Sequence, residues 1–187
     1  MFRKKDTSAM AFISGLTKTP NEAETVLIAI GANLPYAGQA ARETCQRVVA
    51  ALRDVPGLRI EAVSAWYESA PVPPSGQPPY INGVVRGVAS LGPEALLEAL
   101  QTIETRFGRE RSIPNAARTL DLDLITYGSL CQNDSHLTLP HPRAHERAFV
   151  LLPLQEVAPE WVHPSSGKTL ADLLPDVADQ EIRRIQE

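Results

Sequence analysis

A short segment with alternating leucines, Arg118 to Tyr127, constrains the fold more than any other part of the sequence. Leucine recurs at every second position from 120 to 124, the period of a β-strand with one buried face. The same period puts Asp121 and Asp123 together on the opposite face, roughly 7 Å apart along the strand. The segment therefore predicts a strand that carries two acids on one side.

Two carboxylates on one strand face repel each other unless a positive charge lies between them, and acidic residues are uncommon in strands. Carboxylate oxygens suit hard divalent cations such as Mg²⁺ or Ca²⁺. A cation site is the interpretation we favour for Asp121 and Asp123, and a solvated strand face is the alternative.

The remaining apolar patterns predict the element order β-α-β-β-α-β, followed by a small strand and further helices. Strands are predicted at 26–30, 58–68, 80–90, 118–127 and 137–139, and helices at 37–55, 92–107, 143–158 with a break at Pro153, and 170–174 before a charged end. This order matches the split βαβ pattern. We expect an α+β, ferredoxin-like antiparallel sheet with helices packed on both faces.

With 187 residues, the chain is expected to form a single domain, 25–187, after a flexible N-terminal extension, 1–24. The extension makes a poor signal peptide because Ser14 and Gly15 interrupt its short apolar stretch. No apolar run approaches the length of about 18 residues that a membrane span needs. The net charge of −4 gives no indication of nucleic-acid binding. We expect a cytoplasmic monomer that binds small molecules.

Two cysteines, Cys45 and Cys131, lie far apart and form no C-x-x-C motif. Two reduced thiols are a more natural expectation than a disulfide, which the spacing leaves open.

A proline-rich segment, Ser69 to Pro79, separates two predicted strands. Five prolines and one glycine in eleven residues exclude a helix or a strand interior. Loops of this length in compact domains are often functional.

Charged residues near the acidic strand complete a candidate site. Glu104 borders the apolar stripe of its helix, where it belongs either to the site or to an edge salt bridge. The nearby cations are Arg109, Arg111, Arg118, His141, Arg143, His145 and Arg147. Paired acids with several arginines suit the binding of a polyphosphate through metal ions, although arginines on a solvated face would look the same.

Other chemical motifs fail on spacing. Ser166 to Thr169 resembles the end of a phosphate-binding P-loop, but Val162 stands where the first glycine is required. His145-Glu146 begins like a zinc-protease helix, but Phe149 stands in place of the second histidine. No Gly-x-Ser-x-Gly motif is present.

Five ordered motifs closely resemble the hydroxymethyl-dihydropterin pyrophosphokinase family of folate biosynthesis. They are Ile28–Leu34, Gln77–Asn82, Gln101–Glu104, Arg118–Leu124 and Leu139–His141. The resemblance runs from about residue 25 to 164 and implies that ATP donates its β,γ-pyrophosphoryl group to the hydroxymethyl group of a reduced pterin, leaving AMP.

The resemblance also implies roles for individual residues. Asp121 and Asp123 would bind two Mg²⁺ ions and, with Arg109 and Arg118, form the catalytic group. The ATP contacts would be Gln101, Glu104, Arg109, Arg118, Ile125, His141 and Arg147. The pterin contacts would be Ser69, Ala70, Pro71, Val72, Tyr80, Asn82, Asp121 and Phe149, with the amide of Asn82 on the ring edge and Tyr80 and Phe149 as aromatic walls.

Two positions depart from the family pattern. Asn115-Ala116-Ala117 stands where many members carry Trp-Gly-Pro, so an aromatic residue over the pterin is missing. Pro73 replaces a glycine and predicts a stiffer loop. Two alternative functions remain at this point: a catalytically silent pterin- or nucleotide-binding relative, and a metal-dependent transferase with another acceptor.

Overall fold

The computed structural model describes residues 22–71, 74, 76–109 and 118–186. Within these ranges the chain forms eight strands and four α-helices: β1 (Glu24–Ala32), α1 (Ala41–Arg53), β2 (Leu58–Val63), β3 (Tyr67–Ser69), β4 (Tyr80–Ala89), α2 (Pro93–Arg106), β5 (Asp121–Tyr127), β6 (Gln132–Asn133), β7 (Thr138–Leu139), α3 (Ala148–Val157), α4 (Leu170–Leu173) and β8 (Ile182–Arg184). A short 3₁₀ turn at Ala144–Glu146 precedes α3, and another at Leu174–Val177 follows α4.

The main sheet has the strand order β5-β1-β4-β3-β8, with β2 also paired to β4. Its pairings are antiparallel. The central order β5-β1-β4-β3, with a helix after β1 and another after β4, is the predicted split βαβ arrangement. The predicted ferredoxin-like fold is therefore confirmed.

Helices cover both faces of the sheet, as the sequence predicted. On the face that we call the upper face, α1 and α2 pack against Val26, Ile28 and Ile30 of β1. On the lower face, α3 and α4 pack against Leu27 and Ala29 of the same strand. Because β1 is buried on both sides, it reads as a continuous apolar run. None of the helices among the described residues is long and apolar enough to cross a membrane.

The predicted strand at 58–68 is divided in the structure, with a break between β2 and β3. At the break the hydroxyl oxygen of Ser64 accepts a hydrogen bond from the backbone N–H of Val84 at 3.0 Å. The next N–H, that of Ala65, donates to the Glu156 carboxylate at 2.7 Å. These side chains replace backbone partners, and the regular ladder stops.

The prediction of a helix break at Pro153 is wrong, because α3 continues through this residue to Val157. A proline there removes one helical hydrogen bond. Burial of its neighbours Leu151 and Leu154 in the lower core outweighs that single loss.

The two cysteines are both free thiols, in agreement with the expectation of reduced residues. Cys45 is buried on α1 and Cys131 is exposed. Burial raises the pKa of the Cys45 thiol to about 12, so it behaves as a small apolar core residue.

Candidate active site

The floor of the candidate site is a row of residues across the three central strands. Gly31 of β1 lies opposite Asn82 of β4 and opposite Asp121 of β5. One step along, Ala29 lies opposite Val84 and Asp123. Residues that face each other across neighbouring strands share a face of the sheet. Both acids therefore lie on the lower face, in line with Asn82.

Gly31 keeps this row open, because it has no side chain between the amide and the carboxylate. A Cβ at this position would lie 3.4 Å from Oδ1 of Asn82. Two strand spacings separate Asn82 from Asp121, a distance of about 10 Å. This row, which we call the trough, has a neutral amide at one end and a carboxylate at the other, with no side chain from Gly31 between them.

Asp121 is held by two arginines. Arg109 Nη1 donates to its Oδ1 at 2.6 Å, and Arg118 Nη1 donates to its Oδ2 at 2.5 Å. Both oxygens of this carboxylate are thus engaged by guanidinium groups, the geometry of strong charge-assisted hydrogen bonds.

Glu104 links this cluster to α2. Its side chain is 2% exposed, and its Oε1 accepts hydrogen bonds from the backbone N–H of Leu122 at 2.8 Å and from Arg109. The acid that the helix pattern placed at the border of the apolar stripe is therefore fully buried. It fixes Arg109 to the start of β5.

Asp123 lies beside His141, with 3.8 Å between Oδ2 and Nε2. Burial raises the pKa of the Asp123 carboxyl, and the negative charge of Asp121 raises it further. Burial lowers the pKa of His141, and Arg147 lowers it further against the opposing effect of Asp123. These shifts favour the uncharged imidazole of His141, and they indicate that the charge of an ionised Asp123 is poorly compensated.

His141 is carried by the edge of the sheet, because its backbone N–H donates to the carbonyl of Ile125 at 2.8 Å. The side chain of Ile125 is completely buried in the lower core. An ATP contact by Ile125 stays a prediction, since the described contact of its carbonyl is the hydrogen bond from the His141 N–H. Arg147, at the start of α3, lies with its guanidinium carbon 5.3 Å from the ring centroid of Phe149, a cation–π contact.

Asn82 is 5% exposed, and its Nδ2 donates to the hydroxyl oxygen of Ser69 at 2.9 Å. Tyr80 projects to the same face two residues earlier, and burial raises its pKa. Phe149 is half-buried against the lower core, on that same side of the sheet.

The other predicted site residues are arranged around this group. Ala70 is exposed and Pro71 is half-buried directly after β3, and Gln101 lies on α2 three residues before Glu104. Val72, Pro73, Arg111 and the segment 115–117 lie outside the described residues. The structure thus brings together the acids, Arg109, Arg118, Glu104 and His141 by direct contacts, and it puts Asn82, Tyr80 and Phe149 on the same face.

The sequence analysis missed the structural role of Asn33. This residue is 2% exposed and follows β1, where its Oδ1 accepts from the backbone N–H of Arg118 at 2.8 Å. Its Nδ2 donates to Gln77 Oε1 at 3.1 Å and to the carbonyl of Pro78 at 3.2 Å. Asn33 therefore joins the proline-rich loop to the segment that carries Arg118. A buried loop asparagine has no signature of periodicity, so only its place in a motif could have pointed to it.

Replacing Asn33 by alanine is expected to lower the free energy of unfolding by about 1–3 kcal/mol, because buried hydrogen-bonding groups lose their partner. Urea unfolding measures the change. Asn133→Ala is the matched control, since Asn133 is exposed on β6. Equal unfolding midpoints for the two variants would contradict the role assigned to Asn33.

Comparison with known proteins finds relatives by sequence and a solved structure with a similar fold. Residues 27–159 match the family model described as 7,8-dihydro-6-hydroxymethylpterin-pyrophosphokinase (HPPK). The chain is 42% identical over 161 residues to a 2-amino-4-hydroxy-6-hydroxymethyldihydropteridine pyrophosphokinase of Synechocystis, covering 86% of this chain and 80% of that protein. It is 38% identical over 162 residues to the enzyme of the same name from Pseudomonas aeruginosa, covering 87% of this chain and 97% of that protein.

A solved HPPK-DHPS structure from Plasmodium falciparum, with pteroate, has a TM-score of 0.64 at 12% identity. The alignment covers 90% of this chain and 47% of that one, so the chain spans about half the length of this structural relative. At this identity the match supports the fold. The sequence matches confirm the resemblance that the five motifs indicated.

Proposed function

Since the chain belongs to the 7,8-dihydro-6-hydroxymethylpterin-pyrophosphokinase family, we propose how its residues divide the work of that family's reaction. The reaction transfers the pyrophosphoryl group of ATP to hydroxymethyl-dihydropterin in folate synthesis. The hydroxymethyl oxygen loses its proton to solvent and bonds to the β-phosphorus. The bond between that phosphorus and the bridging oxygen of the α-phosphate breaks, and AMP leaves with this oxygen and the electron pair of the bond. The observation that carries the proposal is the row Asn82–Gly31–Asp121, which aligns an amide with the acids on one face of the sheet.

Asp121 and Asp123 would bind Mg²⁺, and we propose two ions. The raised pKa of Asp123 reflects burial and the nearby charge of Asp121, a repulsion that a cation would relieve. Among the described residues no cluster of three or more metal-ligating side chains occurs. A pair of carboxylates suits Mg²⁺, which commonly takes one or two carboxylates and completes its shell with substrate phosphates and water. When bound, it would supply charge neutralisation on the phosphate oxygens.

Arg109, Arg118 and Arg147 would bind the triphosphate, because a guanidinium group matches pairs of phosphate oxygens. Glu104 orients Arg109 and thus acts as a positioning residue. The lowered pKa of His141 favours a neutral imidazole, which can donate one ring N–H to a phosphate oxygen without adding charge. Gln101 and the backbone near Ile125 would complete the ATP side.

The pterin would lie over the trough, with its donor–acceptor edge on Asn82 and its ring between Tyr80 and Phe149. Ser69 fixes the amide, and Ala70, Pro71 and Val72 would add backbone contacts. An amide can hydrogen-bond the edge of a neutral flat heterocycle, and aromatic side chains can stack on its faces. Asp121 would then lie near the hydroxymethyl end.

We also propose a cytoplasmic monomer with one domain from residue 25. The six-stranded main sheet, which has helices packed on both faces, supports the single domain. Light scattering of the purified chain would test the oligomeric state.

Incubation with ATP, Mg²⁺ and the reduced hydroxymethyl pterin is expected to yield AMP and the pterin diphosphate. Chromatography of the nucleotides separates the possible outcomes. ADP in place of AMP would contradict pyrophosphoryl transfer. Pterin binding without any product would indicate a catalytically silent relative.

A further inference from the structure

The last strand, β8, lies at an edge of the sheet and outside the residues that match the family model, which end at 159. It pairs antiparallel with β3, with Ile182 opposite Ser69. The backbone N–H of Ile185 extends the pairing by donating to the carbonyl of Trp66 at 2.8 Å. The tail thus adds a strand beside the one that ends at the pterin side of the site.

Side chains reinforce this pairing through Glu68 and Glu156. Arg183 contacts Glu68 at 3.0 Å, and Arg184 donates to Glu156 at 3.0 Å. The Glu156 carboxylate also accepts the hydroxyl of Tyr67 at 2.7 Å. Short strands such as β3, which has three residues, gain much of their order from such neighbours.

A direct chain of contacts runs from β8 to Asn82. Ser69 is the last residue of β3 and lies between Ile182 and Tyr80. Its hydroxyl oxygen accepts the hydrogen bond from Nδ2 of Asn82, which fixes the orientation of the amide. The position of Ser69 therefore sets which amide atom faces the trough, and β8 holds Ser69 from the outer side.

We propose that β8 is a positioning element that orders Ser69 and thereby aligns Asn82 for the pterin ring. The inference rests on the proposed pterin site. It predicts that loosening β8 weakens pterin binding and leaves ATP binding unchanged, because Arg109, Arg118 and His141 are held by other contacts.

The test replaces Ile185 by proline in the full chain, which removes the N–H that bonds to Trp66. Ile185→Val is the matched control, since it keeps this N–H and most of the side chain. For Ile185→Pro we expect the pterin KM to rise about fivefold, with kcat and the ATP KM within about twofold of wild type. Hydrogen exchange of a peptide covering 66–70 should become faster, because alternate N–H groups of β3 face β8.

If β8 had only a structural role, the variant would be less stable but its pterin KM would not rise more than its ATP KM. This result would overturn the proposal. If Ile185→Pro does not fold, the double variant Arg183→Ala/Arg184→Ala decides in the same assays, because it removes only the side-chain contacts. Asn82→Ala distinguishes a failure of the role proposed for β8 from a failure of the proposed pterin site. If it raises the pterin KM while the β8 variants do not, the role of β8 is wrong; if it leaves that KM unchanged, the pterin site itself is wrong.

Discussion

Asp123→Ala is expected to lower kcat at least about a thousandfold, since it removes one of the two carboxylates that would bind Mg²⁺. The fold should persist. In the metal-free protein the charge of Asp123 is poorly compensated, as the raised pKa indicates, so its removal takes away a repulsion with Asp121. Steady-state kinetics with AMP detection and thermal unfolding without Mg²⁺ measure the two effects.

Asp176→Asn is a suitable control for this variant, because its carboxylate is 64% exposed and lies in the turn after α4. It should retain full activity. Substantial turnover by Asp123→Ala would contradict the metal assignment. A large loss of stability in the metal-free variant would show that the carboxylate has a structural role instead.

Glu104→Ala is expected to lower the free energy of unfolding by about 3–5 kcal/mol, because it removes one partner of a buried ion pair. The Leu122 N–H also loses its acceptor. Glu104→Gln keeps an oxygen for that N–H and should therefore cost less stability. It leaves Asp121 as the remaining charged partner of Arg109. We therefore expect kcat to fall about tenfold from misplacement of the guanidinium.

Urea unfolding and kinetics on both variants separate stability from positioning. Glu98→Ala is the matched control, since Glu98 lies on the same helix and is exposed. If Glu104→Gln had wild-type kcat, Arg109 would not depend on this carboxylate. If Glu104→Ala were as stable as Glu98→Ala, the buried pair would contribute nothing to the fold.

Local periodicity predicted those parts of the molecule that depend on one buried face. The leucine alternation of β5 correctly assigned Asp121 and Asp123 to one side, and the apolar stripe of α2 led to Glu104. The order of the predicted strands and helices was sufficient to predict the split βαβ fold. Each of these features is encoded within a single strand or helix, where side-chain period and burial coincide.

Contacts between distant segments were not predictable in the same way. The charged end after α4 gave no signal of a strand, because β8 depends on contacts with distant residues. Arg183 contacts Glu68, 115 residues away in the chain, and Arg184 contacts Glu156, 28 residues away. The division between β2 and β3 similarly depends on Glu156 reaching Ala65. Asn33 acquires its role only when Gln77 and Arg118 meet it. Such interactions appear only in the assembled tertiary structure.

The candidate site takes residues from both helix layers. Glu104 comes from the upper layer, while Arg147 and Phe149 come from the lower layer, and the acids lie on the sheet between them. Neither layer can open without dispersing part of the candidate site. Heat inactivation should therefore follow the same cooperative transition as the loss of tertiary structure, and activity reports on the integrity of the whole domain.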